Sequence, residues 1–372
     1  MAVQKLDQLR GPGRAKRHNA RTIAALTGNP GCSRRAVLDA AGVDKLKLAE
    51  RIGFPGSFGQ SRFALSRGNA FEAMLKADDC ALLRSVLGAP PVTCHDLGSD
   101  DLGGDDLGGD GLLGDRHART AALLASARAA LIDHPLLTLD VAGQTVYLEP
   151  DLIAYAHAGT AGPAGSAGAS GASGRLQVVE IKSFAIIDGQ ADSAKVSAAA
   201  VQAAVYVLAL RALLERQGQD PSLVDHEVVL VCPENFSLNP VAVRLDVRKQ
   251  LATLRRQLSR LASIDALIDS LPDDMTFDLA LTAEELTEAL GHVEPHYAPE
   301  CLSTCELSVF CRHEASGSTA ALGRTVRESL GGIESIDEVL ALAEGRREPT
   351  EEQAEAAAVL RAASRLRSEV LS

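Results

Sequence analysis

Tryptophan is absent from the 372-residue chain, and aromatic residues make up only 3% of it. Stacking of bases on aromatic platforms is therefore not expected to dominate any nucleic-acid contact. No hydrophobic run reads as a transmembrane segment, and no apolar stretch near the start reads as a signal-peptide core, so no membrane partner is expected and a cytoplasmic protein is. No Gly-x-x-x-x-Gly-Lys-Ser/Thr stretch occurs. That removes a built-in nucleotide-driven motor and leaves any unwinding to a separate helicase. Positive charge is scarce as well: the formal net charge is -12. Its distribution is uneven, because residues 1–70 hold thirteen Lys/Arg against four Asp/Glu. Such an arm could follow a phosphate backbone or be a solvated terminus.

Hydrophobic residues make up 46% of the chain, enough for a sizeable core. Four regions follow from composition: a basic arm over 1–66, a core over 67–270, a cysteine-rich segment over 271–318 and a helical tail over 319–372. Two low-complexity insertions interrupt the core. Residues 98–115 are rich in Asp and Gly and lack a full calcium-loop pattern. Residues 157–174 are Gly/Ala/Ser-rich and have nothing to bury. Helices are expected over 68–87, with Phe71, Met74, Leu75, Leu82 and Val86 as the apolar stripe, and over 118–132, 192–216, 248–267 and 283–290. A hairpin is expected over 136–148 around Ala142-Gly143, followed by strands at 152–156, 175–184, 228–232 and 241–247.

The stretch 175–184, RLQVVEIKSF, organises the reading. Alternation along a strand puts Glu180 and Lys182 on one face. A carboxylate beside an ammonium at the end of a Val/Ile-rich run is either an ordinary ion pair or part of a metal-dependent phosphodiesterase site. Pro150-Asp151 sits at the boundary of the preceding strands. Gln202 and Tyr206 lie four apart on the following helix, on one face. Glu72 sits beside the stripe of the 68–87 helix, either as a solvated glutamate or within reach of a metal.

The order Asp151, Glu180-x-Lys182, Gln202-x-x-x-Tyr206 resembles the PD-(D/E)XK nuclease superfamily, in its RecB-like branch. The resemblance implies an α/β fold: a restriction-endonuclease-like core with a mixed central sheet flanked by helices, plus helical additions. It implies Asp151 and Glu180 as ligands of Mg2+ or Mn2+, Lys182 as a catalytic group, and Gln202 and Tyr206 as supporting residues that contact DNA. Gly68-x-x-x-Glu72 matches a motif that makes Glu72 a further candidate ligand.

Seven cysteines in a chain read as intracellular favour thiols or metal ligands over disulfides. Cys32 lies before the core, and Cys301, Cys305 and Cys311 lie after it. This looks like the iron-sulfur variant of the same family, found in CRISPR-associated and AddB-type nucleases. In that variant one cysteine before the core and three after it ligate a [4Fe-4S] cluster that staples the chain ends. Four thiolates suit zinc too, and His292, His296 or His313 could complete a zinc site with three cysteines. Cys80, Cys94 and Cys232 read as buried small hydrophobes.

The resulting expectation is a metal-dependent DNA nuclease, an exonuclease on single-stranded ends, working in DNA repair or phage defence such as CRISPR adaptation, with other repair or defence proteins as partners. The alternative is a catalytically inactive iron-sulfur DNA-binding or scaffold subunit.

Overall fold

The computed structural model describes residues 2–16, 19–29, 31–56, 62–89, 91–98, 110–126, 128, 130–141, 144–156, 175–235, 237–261 and 264–371. The 157–174 insertion, most of the 98–115 insertion and the Ala142-Gly143 turn lie outside the described residues. The chain divides into two compact units. One comprises Arg17–Thr27 and Gly59–Ser263; the other comprises Met1–Lys16, Gly28–Phe58 and Ile264–Ser372.

The first unit is built on a six-stranded mixed sheet. Its strands are β1 (Thr93–Asp96), β2 (Ala130–Asp133), β5 (Leu152–Ala156), β6 (Arg175–Ile181), β7 (Glu227–Pro233) and β8 (Pro240–Asp246), in that spatial order. A separate hairpin pairs β3 (Leu137–Val141) with β4 (Gln144–Leu148). Strands β2, β5 and β6 run antiparallel in succession, and β6 and β7 are parallel. The parallel pair requires a crossover, which the 24-residue helix Ser193–Arg216 supplies. Numbering the helices of this unit used below, α1 is Arg62–Leu87, α2 Asp110–Ala125, α3 Ser193–Arg216 and α4 Arg248–Leu261. This mixed sheet flanked by helices is a restriction-endonuclease-like architecture.

Alternation sorts the two faces of the sheet. Leu152, Val179, Ile181, Val229 and Val231 point to one face and bury Phe71, Leu75 and Leu83 of α1. Leu230 and Cys232 point to the other face and meet Ala199 of α3. Fully burying one such aliphatic side chain contributes about 1.5–3 kcal/mol, so the register is strongly fixed. Asp192 starts α3, its side chain accepting from the Ala194 and Lys195 N–H groups. Length and composition alone would let α3 cross a membrane, contrary to the expectation that no run has that character. Its buried positions instead pack on the strands and on α4.

Three expectations are corrected. Residues 118–132 do not form one helix: α2 ends at Ala125, and Ala130–Asp133 is strand β2. That four-residue run is wholly buried between β1 and β5, and sheet pairing on both sides overrides its helical pattern. The helix expected over 68–87 is broken at Ala77–Cys80, where Asp78, Asp79 and Cys80 take left-handed φ values of 52°, 56° and 60°. The break rotates the second half, so Leu83 is buried and Leu82 is 37% exposed. Finally, Cys80 and Cys94 are not free thiols; they form a disulfide that ties this break to β1.

The second unit holds the helix Ser33–Ala41, which begins directly after Cys32, and the short helices Cys301–Thr304 and Ser308–Glu314. Its core gathers Val37, Leu38, Leu48, Phe277, Leu286, Leu290 and Phe310. The expected helix at 283–290 is present as Ala283–Gly291, started by a full capping box between Thr282 and Glu285. The tail is helical at Ile336–Ala343 and Ala354–Leu371, on either side of Pro349.

The Asp192 cap gives a direct check. Asp192→Ala is expected to lower unfolding free energy by about 1 kcal/mol, within the usual range for lost N-caps. A urea titration with an unchanged midpoint would show that α3 is set by packing alone.

Candidate metal-dependent site

Pairing of β5 with β6 builds the first half of the site. Leu152 opposes Val179, so Asp151, just before β5, falls beside Glu180. The Ile181 N–H donates to Asp151 Oδ2 at 2.7 Å and fixes that carboxylate. Lys182 Nζ lies 2.5 Å from Glu180 Oε2 and 3.6 Å from Asp151 Oδ2. The Lys182 N–H donates to the Val231 carbonyl, which holds the residue at the end of the β6–β7 pair. Glu180 is only 1% exposed. Its Oε2 faces the Lys182 ammonium, and neither Oε1 nor Oε2 has a hydrogen-bond partner among the described residues.

Burial pushes the Glu180 carboxyl up to about 7, with Lys182 working against the shift and Asp151 and Glu72 adding to it. Burial works to lower the Lys182 ammonium, but Glu180 and Asp151 outweigh it and raise its pKa. Tyr206 of α3 is buried in the same electrostatic field. Burial, then the charges of Glu180 and Asp151, push its hydroxyl well up, so it stays protonated. Gln202 Nε2 donates to the Tyr206 hydroxyl at 3.1 Å. Asp151, Glu180 and Lys182 therefore meet in one place, and the Gln202–Tyr206 pair stands behind them.

A second cluster adjoins the first. The His134 N–H bonds to the Asp151 carbonyl at 3.4 Å. The His134 ring lies between carboxylates: Nδ1 is 3.2 Å from Asp133 Oδ1 and 3.6 Å from Asp96 Oδ1, and Nε2 is 3.5 Å from Glu72 Oε1. Lys76 Nζ pairs with Glu72, with Asp133 at 2.6 Å and with His134 Nε2 at 3.1 Å. Asp96, Asp133 and His134 bring their ligand atoms within 4.8 Å of one another, so this group could coordinate a metal ion. Glu72, one turn before Lys76 on α1, is thereby placed between the two clusters, held by Lys76 and His134 and felt electrostatically by Glu180.

The sequence reading did not find Asp96, Asp133, His134 or Lys76. The signal available was Ile132-Asp133-His134-Pro135, a polar pair between an apolar run and a proline. It was hidden because that run was assigned to a helix.

The cysteines lie in the other unit. Cys301, Cys305 and Cys311 are buried in its core, and Cys32 is half-buried. Asn29 Nδ2 donates to Cys301 Sγ at 3.1 Å, and Arg34 Nη1 to Cys311 Sγ at 3.5 Å. Burial pushes the Cys305 thiol up to about 12 and the Cys311 thiol up to about 11. Among the described residues no four-cysteine cluster is formed, and the expected iron-sulfur arrangement is not seen. Neither do three cysteines close with His292, His296 or His313 into a zinc-type group. The His313 ring instead packs against Phe54, with centroids 5.0 Å apart.

Comparison with protein families, with curated proteins and with solved structures finds no match for this chain. What can be said of the site rests on its own geometry: a mixed-sheet α/β unit with buried carboxylates, a histidine and two lysines, able to support metal-dependent chemistry in general.

Two opposite pH limbs follow for the chelator-treated protein. Burial works to raise Glu72, but contact with His134 and the Lys76 charge overcome it and hold it near 2, below its ordinary 4.5. Its contribution to stability is complete above about 4.5 and is lost as pH falls toward 2. The Asp133 and Glu72 carboxylates push His134 up to about 10 from 6.5. Its contribution is complete below about 6.5 and is lost as pH rises through 10. With partial exposure discounted, each limb is on the order of 1–3 kcal/mol. Urea midpoints measured against pH should flatten on the acid side in Glu72→Gln and on the alkaline side in His134→Gln. Unaltered limbs in both variants would show that the network does not govern the pH dependence.

Proposed function

We propose that this chain is a metal-dependent deoxyribonuclease. The observation that carries the reading is Glu180, a carboxylate 1% exposed at the end of β6, which faces the Lys182 ammonium beside Asp151 and has no hydrogen-bond partner on either oxygen among the described residues. Burying a charged oxygen without a partner is costly, and a bound cation is the natural way to offset that cost. Oxygen donors of this kind suit Mg2+ or Mn2+. Asp151 and Glu180 would hold the ion, with Glu72 as a third candidate. An ion bound there supplies Lewis-acid activation of a phosphodiester and neutralises charge in the transition state.

The chain's own residues complete the chemistry. Lys182 remains protonated at neutral pH because of its two carboxylate neighbours, so it serves as a fixed cation for charge developing on the phosphate oxygens. Tyr206 keeps its proton as well and can donate it in a hydrogen bond. Gln202 holds the Tyr206 hydroxyl in place and retains an amide oxygen as a further acceptor. The order of these residues, on an antiparallel hairpin followed by a crossover helix, supports the RecB-like reading. On this reading the substrate is DNA, the activity is exonucleolytic on single-stranded ends, and the setting is repair or phage defence.

Cys32, Cys301, Cys305 and Cys311 are read as ligands of a [4Fe-4S] cluster that closes the second unit. Four thiols within one unit would suit that chemistry. N–H donors from Asn29 and Arg34 to two of the sulfurs are contacts that stabilise ligand thiolates.

Purified protein should cleave labelled DNA only with Mg2+ or Mn2+ present. Glu180→Gln and Lys182→Ala should each lower the rate by about 100-fold or more, with circular dichroism unchanged. Wild-type rates in both variants would sink the assignment, and binding without any cleavage would favour the scaffold alternative. Anaerobically prepared protein should carry about four irons per chain, and Cys305→Ser should lose them. Iron retained in that variant would remove the cluster from the reading without touching the nuclease.

A further inference from the structure

Helix α4 carries Arg248, Lys249, Arg255, Arg256 and Arg260 and no acidic residue. The acid-free stretch extends from Val247 to Ile264, in a chain whose net charge is -12. Leu251 and Leu254 turn inward and are buried, whereas Lys249, Ala252, Arg255 and Arg256 are exposed. Residues seven apart share a helix face, so Lys249 and Arg256 lie in one row about 10 Å apart along the axis. Arg248 is paired with Asp246 at 2.5 Å. Lys249, Arg255 and Arg256 have no carboxylate within ion-pair distance among the described residues.

The helix follows Asp246, which pairs with Glu227 at the end of the sheet away from Glu180. It lies against α3, the helix that brings Gln202 and Tyr206 to the site. Arg255 comes within electrostatic range of Arg211 on α3. Arg211 follows Tyr206 by five residues, about 7.5 Å along the helix axis. Like charges gathered on one face repel until an anion joins them, and a polyanion approaching a net-negative protein needs such a face. We propose that the exposed face of α4 is a track for the phosphate backbone of a nucleic-acid strand, leading it along α3 toward Glu180.

The proposal rests on the phosphodiesterase reading and gives it a substrate-length dependence. Two cations about 10 Å apart span about three phosphates of a stacked strand at 3.4 Å per nucleotide. The contacts would be to phosphate and so independent of sequence, in keeping with an aromatic content of 3%. An anionic membrane is the weaker fit, because Leu251 and Leu254 on the apolar side of α4 are already buried and so are not offered for insertion.

The test uses the full chain and the triple variant Lys249→Gln/Arg255→Gln/Arg256→Gln, with folding checked by circular dichroism. Binding of a labelled oligothymidylate is measured in chelator across a salt series, so that no cleavage is needed. The slope of log affinity against log salt should fall by about 2, from three lost contacts at about 0.7 each, with affinity at least about tenfold weaker at low salt. Turnover of the p-nitrophenyl ester of thymidylate, too short to reach α4, should stay within about twofold of wild type. A folded variant with the wild-type salt slope overturns the track, as does wild-type protein that binds phosphatidylserine vesicles and not the oligonucleotide. Oligonucleotide binding that depends on α4 in a wild-type protein without turnover supports the track and sinks the nuclease reading. Turnover of the short ester without α4-dependent binding does the reverse.

Discussion

Glu180 is the point at which the demands of the sheet and of the site conflict. Its position on β6 requires the backbone to continue between β5 and β7, deep in the unit, while its side chain carries an ionisable group into a place from which water is excluded. Lys182, two residues on, supplies the counter-charge from the same face. Asp151 is locked by the Ile181 amide and contributes a second carboxylate. Neutralisation is thus incomplete: two acids meet one ammonium, and the Glu180 oxygens have no hydrogen-bond partner among the described residues. Pairs of this kind rarely add stability, because desolvation offsets attraction. An arrangement that is poor at holding a protein together and well suited to holding a cation is better explained by what it binds.

The neighbouring cluster solves a related problem differently. Glu72, Asp96 and Asp133 face Lys76 and the His134 ring, and here positive side chains of the chain itself offset much of the negative charge. The backbone bond from His134 to Asp151 joins the two groups mechanically. Each patch has one acid more than it has cations, but burial pushes the Glu180 carboxyl up to about 7, whereas at Glu72 and Asp133 burial is outweighed by contact with His134 and Lys76, which holds those carboxyls below their ordinary values. The contrast is a reason to place the candidate chemistry at Glu180 and to see Lys76 and His134 as partners that position Glu72.

Much of this was legible in the residues, for reasons that can be named. Strand alternation put Glu180 and Lys182 on one face, and helical spacing put Gln202 beside Tyr206; both depend only on local geometry. The apolar runs of β6 and β7 were long and flanked by polar breaks, so their strands stood out. What was missed depended on tertiary partners. Ala130–Asp133 is four residues long and is a strand because β1 and β5 lie on either side of it. With that strand unrecognised, Asp133 and His134 were attached to nothing. The break at Ala77–Cys80 was equally hidden, since three consecutive non-glycine residues with positive φ contradict local preference. Cys80 and Cys94 are fourteen residues apart on different elements, and only the fold brings them together.

The β5–β6 hairpin separates two ends with different obligations. Five paired positions, from Leu152↔Val179 to Ala156↔Arg175, lie between the carboxylates and the connection that joins the strands. At about 3.3 Å per residue the connection departs some 16 Å from the chemistry. The inter-strand hydrogen bonds hold Asp151 against Glu180. Residues 157–174 are therefore a natural point of entry for protein engineering: a fluorescent reporter or an affinity handle spliced there would ride on the far end of the hairpin. The same separation leaves evolution free to lengthen or rewrite that segment while the pair of acids stays in register.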